Sequence, residues 1–297
     1  MVSPEIEQVT TGSKGIFRRI ISRIRTLPTG SIIILVLVLC GAILAPLIAP
    51  APPAKIDIRH SLRPPIWEDE GVPGHPLGTD DLGRDILSRM LYGARISLLV
   101  SICAIAISGS LGTLLGLLAG YFGGWYDSII MRVTDTFLSI PFMLMALAIV
   151  GVLGPSLTNI IVVLGITNWA KYARMVRGET LSVRELDYVR LAEVAGCSHW
   201  RTSLYHILPN VANSLIILAT LDLGRVIIME SAMSFLGLGV QPPNISWGLM
   251  VAEGRKYLSV AWWYVTFPGV AIALTVLGGN LLGDYLRDIL DPGFRKA

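Results

Sequence analysis

Long apolar stretches alternate with short charged connections along this chain. Six of them approach the length needed to cross a bilayer: about 31–49, 96–120, 129–152, 157–175, 211–236 and 262–284. About 20 apolar residues, rising about 1.5 Å each in a helix, cover a hydrocarbon core of about 30 Å. The runs lack the alternation of a lipid-facing strand, so the pattern predicts an all-α integral membrane protein with six transmembrane helices and not a barrel. Ser108, Gly112, Gly116 and Gly120 recur every four residues in the second run, a stripe that lets another helix come close. Pro141 is expected to kink the third.

One polar connection has a pattern of its own. Tyr188, Leu191, Ala192 and Ala195 fall at i, i+3, i+4 and i+7 on one helical face, with Asp187, Arg190 and Glu193 on another. Gly196 supplies a left-handed cap just past the last periodic residue. A second turn, with Trp200, Leu204 and Leu208 four apart, is expected to run until Pro209 stops it. An amphipathic helix caught between two spans reads as a docking handle for a partner in water.

Composition agrees with the pattern. Mean hydropathy is +0.64 and only 15% of residues are charged, against about 25% in soluble domains. Lys14, Arg18, Arg19, Arg23 and Arg25 precede the first run, which places the N-terminus in the cytoplasm; six spans then put the 176–210 loop and the C-terminal tail there too. The net charge of +3 therefore reports topology and not nucleic-acid binding. The first run is too long, and too close to Pro46 and Pro50, for a cleaved signal peptide. Residues 16–27 interleave Phe17, Ile20, Ile21 and Ile24 with arginines, as in a helix lying at the membrane surface. Cys40, Cys103 and Cys197 have no metal or disulfide spacing and read as small core residues, and the four histidines have no ligand spacing either. No metal or cofactor site is expected in the chain.

Charges inside apolar runs need partners or water. Asp222 and Arg225, three apart, are expected to pair with each other, whereas Glu230 is left to meet substrate, a partner chain or an outer loop. Pro242, Pro243, Trp247, Trp262 and Trp263 suggest an interfacial belt or an outer docking surface. The segment 50–94, broken by seven prolines, is the main outer piece; Thr79 or Asp80 is expected to cap a helix carrying Leu82, Ile86 and Met90.

Several blocks resemble one family. Leu77-Gly-Thr-Asp-Asp81 with Gly83-Arg-Asp85, Ser88-Arg89 and Tyr92-Gly-Ala-Arg95 is similar to the permeases of peptide and nickel ATP-binding-cassette importers, in the branch called OppC or DppC. Further matching blocks are Gly120-Tyr-Phe-Gly-Gly124, Ser234-Phe-Leu-Gly-Leu-Gly239 with Gln241-Pro-Pro243, and Asn280-Leu-Leu-Gly-Asp284 with Leu290-Asp-Pro292. Ala192, Gly196 and Ile207-Leu-Pro209 resemble the family's cytoplasmic coupling loop, although Arg190, Leu191 and His206 depart from its pattern.

The resemblance covers the chain from about residue 30 and implies a type I ABC importer permease bundle: a basic segment at 1–30, a first span at 31–49, an outer segment at 50–94, a core at 95–286 with the coupling loop at 176–210, and a tail at 287–297. It implies that Tyr188, Arg190, Leu191, Ala192, Glu193, Gly196 and Pro209 form the ATPase docking region. Gly78, Thr79, Asp80, Gly83, Arg84 and Asp85 form the outer motif, and Asp222, Arg225 and Glu230 belong to the path or its charge network.

The implied partners are a second permease of DppB or OppB type, two ATPase subunits or domains holding ATP and Mg²⁺, an extracytoplasmic binding protein and membrane lipid, and the implied location of this chain is the bacterial inner membrane. No Gly-Lys dipeptide occurs, which excludes a phosphate-binding loop, and no nucleophile and base constellation suggests an enzyme. The rival reading is a secondary carrier coupled to protons through Asp222 or Glu230, but internal repeats and paired broken segments are missing from the pattern.

Overall fold

A computed structural model describes residues 28–290, so the expected surface helix at 16–27 and the end of the tail motif lie outside the described residues. Besides two single 3-10 turns, Ile58–His60 and Arg255–Tyr257, the chain folds as nine longer helices among the described residues: α1 Thr29–Ile48, α2 Ile86–Phe122, α3 Gly124–Ser139, α4 Phe142–Leu153, α5 Leu157–Val183, α6 Asp187–Val194, α7 His199–Phe235, α8 Trp247–Gly254 and α9 Trp262–Leu290.

Four of these, α1, α2, α7 and α9, are long and apolar enough to cross a membrane, and α3 with α4 makes a fifth if the bent pair is one span. The expected third span is thus broken and not merely kinked: Ile140 and Pro141 are extended, and the two halves meet at 92°. Proline lacks the N–H that would continue α3, and the residue before it is pushed out of the helical region. The expected fourth span is the helix α5, too polar to qualify because Asn168, Lys171, Arg174 and Arg177 all lie on it.

Caps set the boundaries. Asp85, and not Thr79 or Asp80, starts α2: its carboxylate accepts from Ser88 N at 2.7 Å, so Leu82 stays in the loop and the helix runs unbroken from Ile86 through the second apolar run. Ser156 and Ser246 cap α5 and α8 in the same way, accepting from Asn159 N at 3.1 Å and Leu249 N at 3.2 Å. Pro209 does not stop its helix. Thr202–Ile207 form a wider π turn within α7 that leads the helix on through the proline, and the His206 carbonyl accepts from Asn210 Nδ2 at 2.7 Å.

The centre of the bundle is the contact of α2 with α5. Cβ atoms added at Gly116 would lie 2.7 Å from both the Ala173 carbonyl and Val176 Cβ, and at Gly120 2.6 Å from Thr180 Cβ. The stripe therefore buries backbone against backbone. Val100, Ala104, Ala146, Ile160, Leu164 and Val226 fill the adjoining core between α2, α4, α5 and α7. The α1 helix covers α2 and α9 from outside, with Leu37 and Leu47 exposed at 66% and 83%, as a lipid-facing helix requires. Cys40 is likewise exposed, and Cys103 and Cys197 are half-buried, so none is a core residue.

Gly116→Val should destabilise the purified protein by about 1–3 kcal/mol through overpacking, with a lower midpoint in a thermal scan of tryptophan fluorescence. Gly151→Ala, where an added Cβ meets nothing within 4 Å, should leave that midpoint in place.

Candidate functional site

Functional side chains gather at an outer knot, a seam of charges along α5, and the exposed helix α6. Ahead of α2, backbone bonds fold the proline-rich segment on itself: Leu62 N to Asp80 O at 2.9 Å, Thr79 N to Arg63 O at 2.9 Å and Asp57 N to Leu82 O at 3.0 Å. Gly78 and Gly83 turn the chain at φ +82° and +72°, and a Cβ at Gly83 would strike the Asp57 carbonyl.

Asp80, fully buried, accepts from Leu82 N and Arg84 N at 2.9 Å, from Arg84 Nε at 2.6 Å, and from Arg89 Nη1. Arg89, 1% exposed, also bonds Glu253 of α8 at 2.7 Å and the Tyr264 hydroxyl of α9 at 3.2 Å. The outer motif is therefore a structural knot joining the outer segment, α2, α8 and α9. Its centre, Arg89, lies in the Ser88-Arg89 block that carries the resemblance, outside the six residues expected to form the outer motif. Beside it, His60 hydrogen-bonds Asp57 and holds that carboxyl below its ordinary range.

The tryptophans serve the same junction. Trp263 Nε1 donates to the Thr79 carbonyl at 3.0 Å and Trp247 Nε1 to the Met90 carbonyl at 2.9 Å, with exposures of 4% and 2%. Buried indoles of this kind are not an interfacial belt; of the three expected there, only Trp262 is exposed. Glu230 is fully buried, and its Oε1 accepts from Ser234 and from Ser246, both at 2.8 Å. Because Ser246 also caps α8, Glu230 fastens the outer loop to α7.

Down α5 runs a ladder of ion pairs. Arg177 meets Asp127 at 2.5 Å, Arg174 meets Asp135, and Lys171 meets Asp222 at 2.5 Å. The expected Asp222–Arg225 pair does not form. Asp222 is buried and points across to α5, whereas Arg225 lies one turn on, exposed, at a cavity of about 230 Å³ beside the α3–α4 break. Helical spacing put the two charges on one face, but it could not show that Lys171 of another helix lies closer.

The α6 segment ends as the glycine predicts. Gly196, at φ +84°, donates to Glu193 O at 2.9 Å, and Cys197 N donates to Ala192 O at 3.0 Å, the paired bonds of a Schellman cap. Val189 is buried among Leu117, Val176, Val183, Ile207 and Val211, an anchor that the sequence reading missed because a two-turn helix has a one-residue inner face. Tyr188, Leu191 and Val194 remain 42%, 66% and 86% exposed, joined by Trp200 and Tyr205 at 55% and 74%. Glu193 accepts from the Tyr121 hydroxyl at 2.7 Å, and Tyr188 Oη accepts from Asn210 at 2.9 Å. Arg190 pairs with Glu185 and keeps that exposed carboxyl below its ordinary range. Pro209, past the π turn, belongs to α7.

A helical bundle with apolar outer faces, a built outer junction and an exposed apolar rim on a short connecting helix is a multi-pass membrane transport component. Residues 112–296 match the family described as "Binding-protein-dependent transport system inner membrane component", and the chain belongs to it. It is a permease subunit of an ABC importer, and ATP hydrolysis resides in separate subunits.

The chain is similar to "Probable D,D-dipeptide transport system permease protein DdpC" of Escherichia coli (44% identical over 88% of this chain and 86% of that protein). It is also similar to "Di/tripeptide transport system permease protein DppC" of Pseudomonas aeruginosa (42%, over 90% and 88%). A third relative is "Glutathione transport system permease protein GsiD" of Pectobacterium atrosepticum (45%, over 75% and 74%). A solved "amino acid ABC transporter with histidines" aligns at a TM-score of 0.47 and 15% identity, over 71% of this chain and 94% of that one. Nothing in the fold or in these likenesses supports the proton-coupled carrier.

Replacing Asp80 by alanine should cost about 3–5 kcal/mol, since it strips a buried guanidinium of one carboxylate. Limited proteolysis of the purified protein should then cut the 50–85 segment much faster, with α2, α7 and α9 still protected.

Proposed function

We propose that this chain is the DppC- or OppC-type subunit of an importer for short peptides. It would pair with a second permease of DppB or OppB type, two ATPase subunits or domains that hold ATP and Mg²⁺, and an extracytoplasmic binding protein. The observation that carries the coupling role is α6, whose Val189 is fixed in the core while Leu191, Val194, Trp200 and Tyr205 stand in solvent. Exposed apolar groups of this number, rimmed by Arg190 and Glu193, fit the apolar centre and polar rim of a protein interface. The peptide class rests on the relatives, whose names specify D,D-dipeptides, di- and tripeptides and glutathione.

In this reading the N- and C-termini and the 176–210 loop are cytoplasmic, and 50–94 faces outward. Closure of the ATPases on ATP pushes α6, which moves the bundle between access to one side and to the other. Tyr188, Leu191 and Ala192 supply contact area. Arg190 and Glu193 set register, and Gly196 and Pro209 shape the two ends of the docking segment.

In proteoliposomes holding the complete complex, Ala192→Glu should lower peptide uptake at least tenfold while ATP hydrolysis persists, as charge enters an apolar contact. Unchanged uptake per ATP hydrolysed would overturn the docking role. Uptake that needs a proton gradient and not ATP would overturn the importer reading for this complex.

A further inference from the structure

The cavity at the α3–α4 break remains outside the docking and outer-junction roles. It is lined by Pro141, Thr167, Asn168, Lys171 and Arg225, with Met145 and Met229 as apolar walls. It belongs to the core that packs α4 and α5 together, and α7 contributes Arg225 from within its apolar stretch.

Three features of this cavity bear on its guest, and the charge sets the ligand chemistry. The first is charge. Lys171 and Arg225 line the cavity with no carboxylate among its lining residues, and Lys171 is paired to Asp222 behind the wall, so two cations against that one anion leave one net positive charge. Arg225 makes no ion pair among the described residues and is exposed to the cavity. A guanidinium held without an anion inside an apolar helix is costly unless water or an anionic guest reaches it.

The second feature is the backbone. A helix broken at membrane depth leaves peptide groups unbonded, which is tolerated only where they line a wet or protein-walled space. The turn at Pro141 supplies such a place directly beside the cations, with Leu144 N reaching back to Pro141 O at 3.0 Å. The third is a polar neighbour in a dry wall: Asn168, 8% exposed, lines the cavity while its Nδ2 donates to Leu164 O at 2.8 Å.

Volume narrows the guest. At about 230 Å³ the space lies below the roughly 300–1,000 Å³ of sites that enclose a whole small ligand, so it holds one end of a solute. Building on the reading of the chain as a peptide permease, we propose that this cavity receives the terminal carboxylate of the peptide in transit, with Arg225 as its principal donor and Lys171, tied to Asp222, as the second cation. The Lys171–Asp222 pair keeps the net charge at one. The site therefore attracts an anion without the deep trap that two free cations would make, and it is suited to passage and not to storage.

The experiment uses the assembled complex with Cys40, Cys103 and Cys197 replaced by serine and Met145→Cys as a reporter in the cavity wall. The probes are a sulfonate-bearing and a trimethylammonium-bearing methanethiosulfonate of similar size. The anionic reagent should react about tenfold faster, as a positively charged cleft raises the local anion concentration. Arg225→Gln should erase that bias. A transported dipeptide should slow the reaction, and its C-terminal amide should not.

Equal rates for the two reagents, a bias that survives Arg225→Gln, or a cysteine closed to both because a neighbouring subunit covers it would each overturn the proposal. ATP-driven dipeptide uptake by the same complex is the separate control. If it fails, the peptide reading falls, and if it holds while the charge bias is absent, only the carboxylate site falls.

Discussion

Close backbone contact between α2 and α5 is the constraint on which the rest depends. In a bilayer no hydrophobic force drives helices together, so association rests on van der Waals packing and interhelical polar bonds. Gly112, Gly116 and Gly120 remove the side chains that would hold α5 away. Once α5 is seated, its polar face has a fixed address: Arg184 reaches the Gly120 carbonyl at 2.9 Å, Arg177 meets Asp127, and Lys171 meets Asp222. A looser α2–α5 contact would leave those cations without geometry.

The polar groups divide by what holds them. Arg89, Asp80 and Glu253 bind one another, so that the knot fixes the outer segment against α2, α8 and α9 and leaves only the Arg89 Nε without a partner among its buried atoms. Buried networks of this kind confer specificity of arrangement more than net stability. Glu230 behaves likewise, its two serine donors tying α7 to the cap of α8. Arg225 is the contrast, since it sits within an apolar helix, faces space, and lacks a carboxylate. Glu230 and Asp222 each keep one buried carboxylate oxygen without a partner, so what sets Arg225 apart is its place at open space.

Much of this was legible in the order of residues. Apolar runs announced the helices, the glycine stripe announced the tightest contact, and Gly196 announced the end of α6 down to its hydrogen-bond pattern. The failures share one cause, which is that pairing across helices is invisible to spacing along one of them. Asp222 went to Lys171, fifty-one residues away, and not to Arg225, three away. Tryptophans that composition alone sends to an interface were buried because the Thr79 and Met90 carbonyls waited for their N–H groups. Pro209, a helix stop by local rules, was accommodated because a π turn precedes it and the helix continues past it to Phe235. Pro141 found no such relief and broke its helix outright.

The placement of Val189 gives the proposed coupling its mechanics. It is buried with Leu117 of α2, Val176 of α5 and Val211 of α7, so three helices share one apolar contact with α6. Packed interiors are stiff, and a displacement applied to such a contact moves the helices as a body rather than bending one of them. The Tyr121–Glu193 bond braces α6 against the end of α2, and the Arg184 link to Gly120 ties the end of α5 there. At the other end of α2 the Arg89 knot grips α8 and α9. A push on α6 is therefore carried along α2 to the outer junction, past the cavity at the α3–α4 break. There the chain is interrupted, and α4 packs on α5 through side chains such as Ala146 and Val150 without a continuous helix behind it. In the proposed coupling that break frees one wall of the cavity to lag behind the moving body, the relative motion that opening and closing a passage requires.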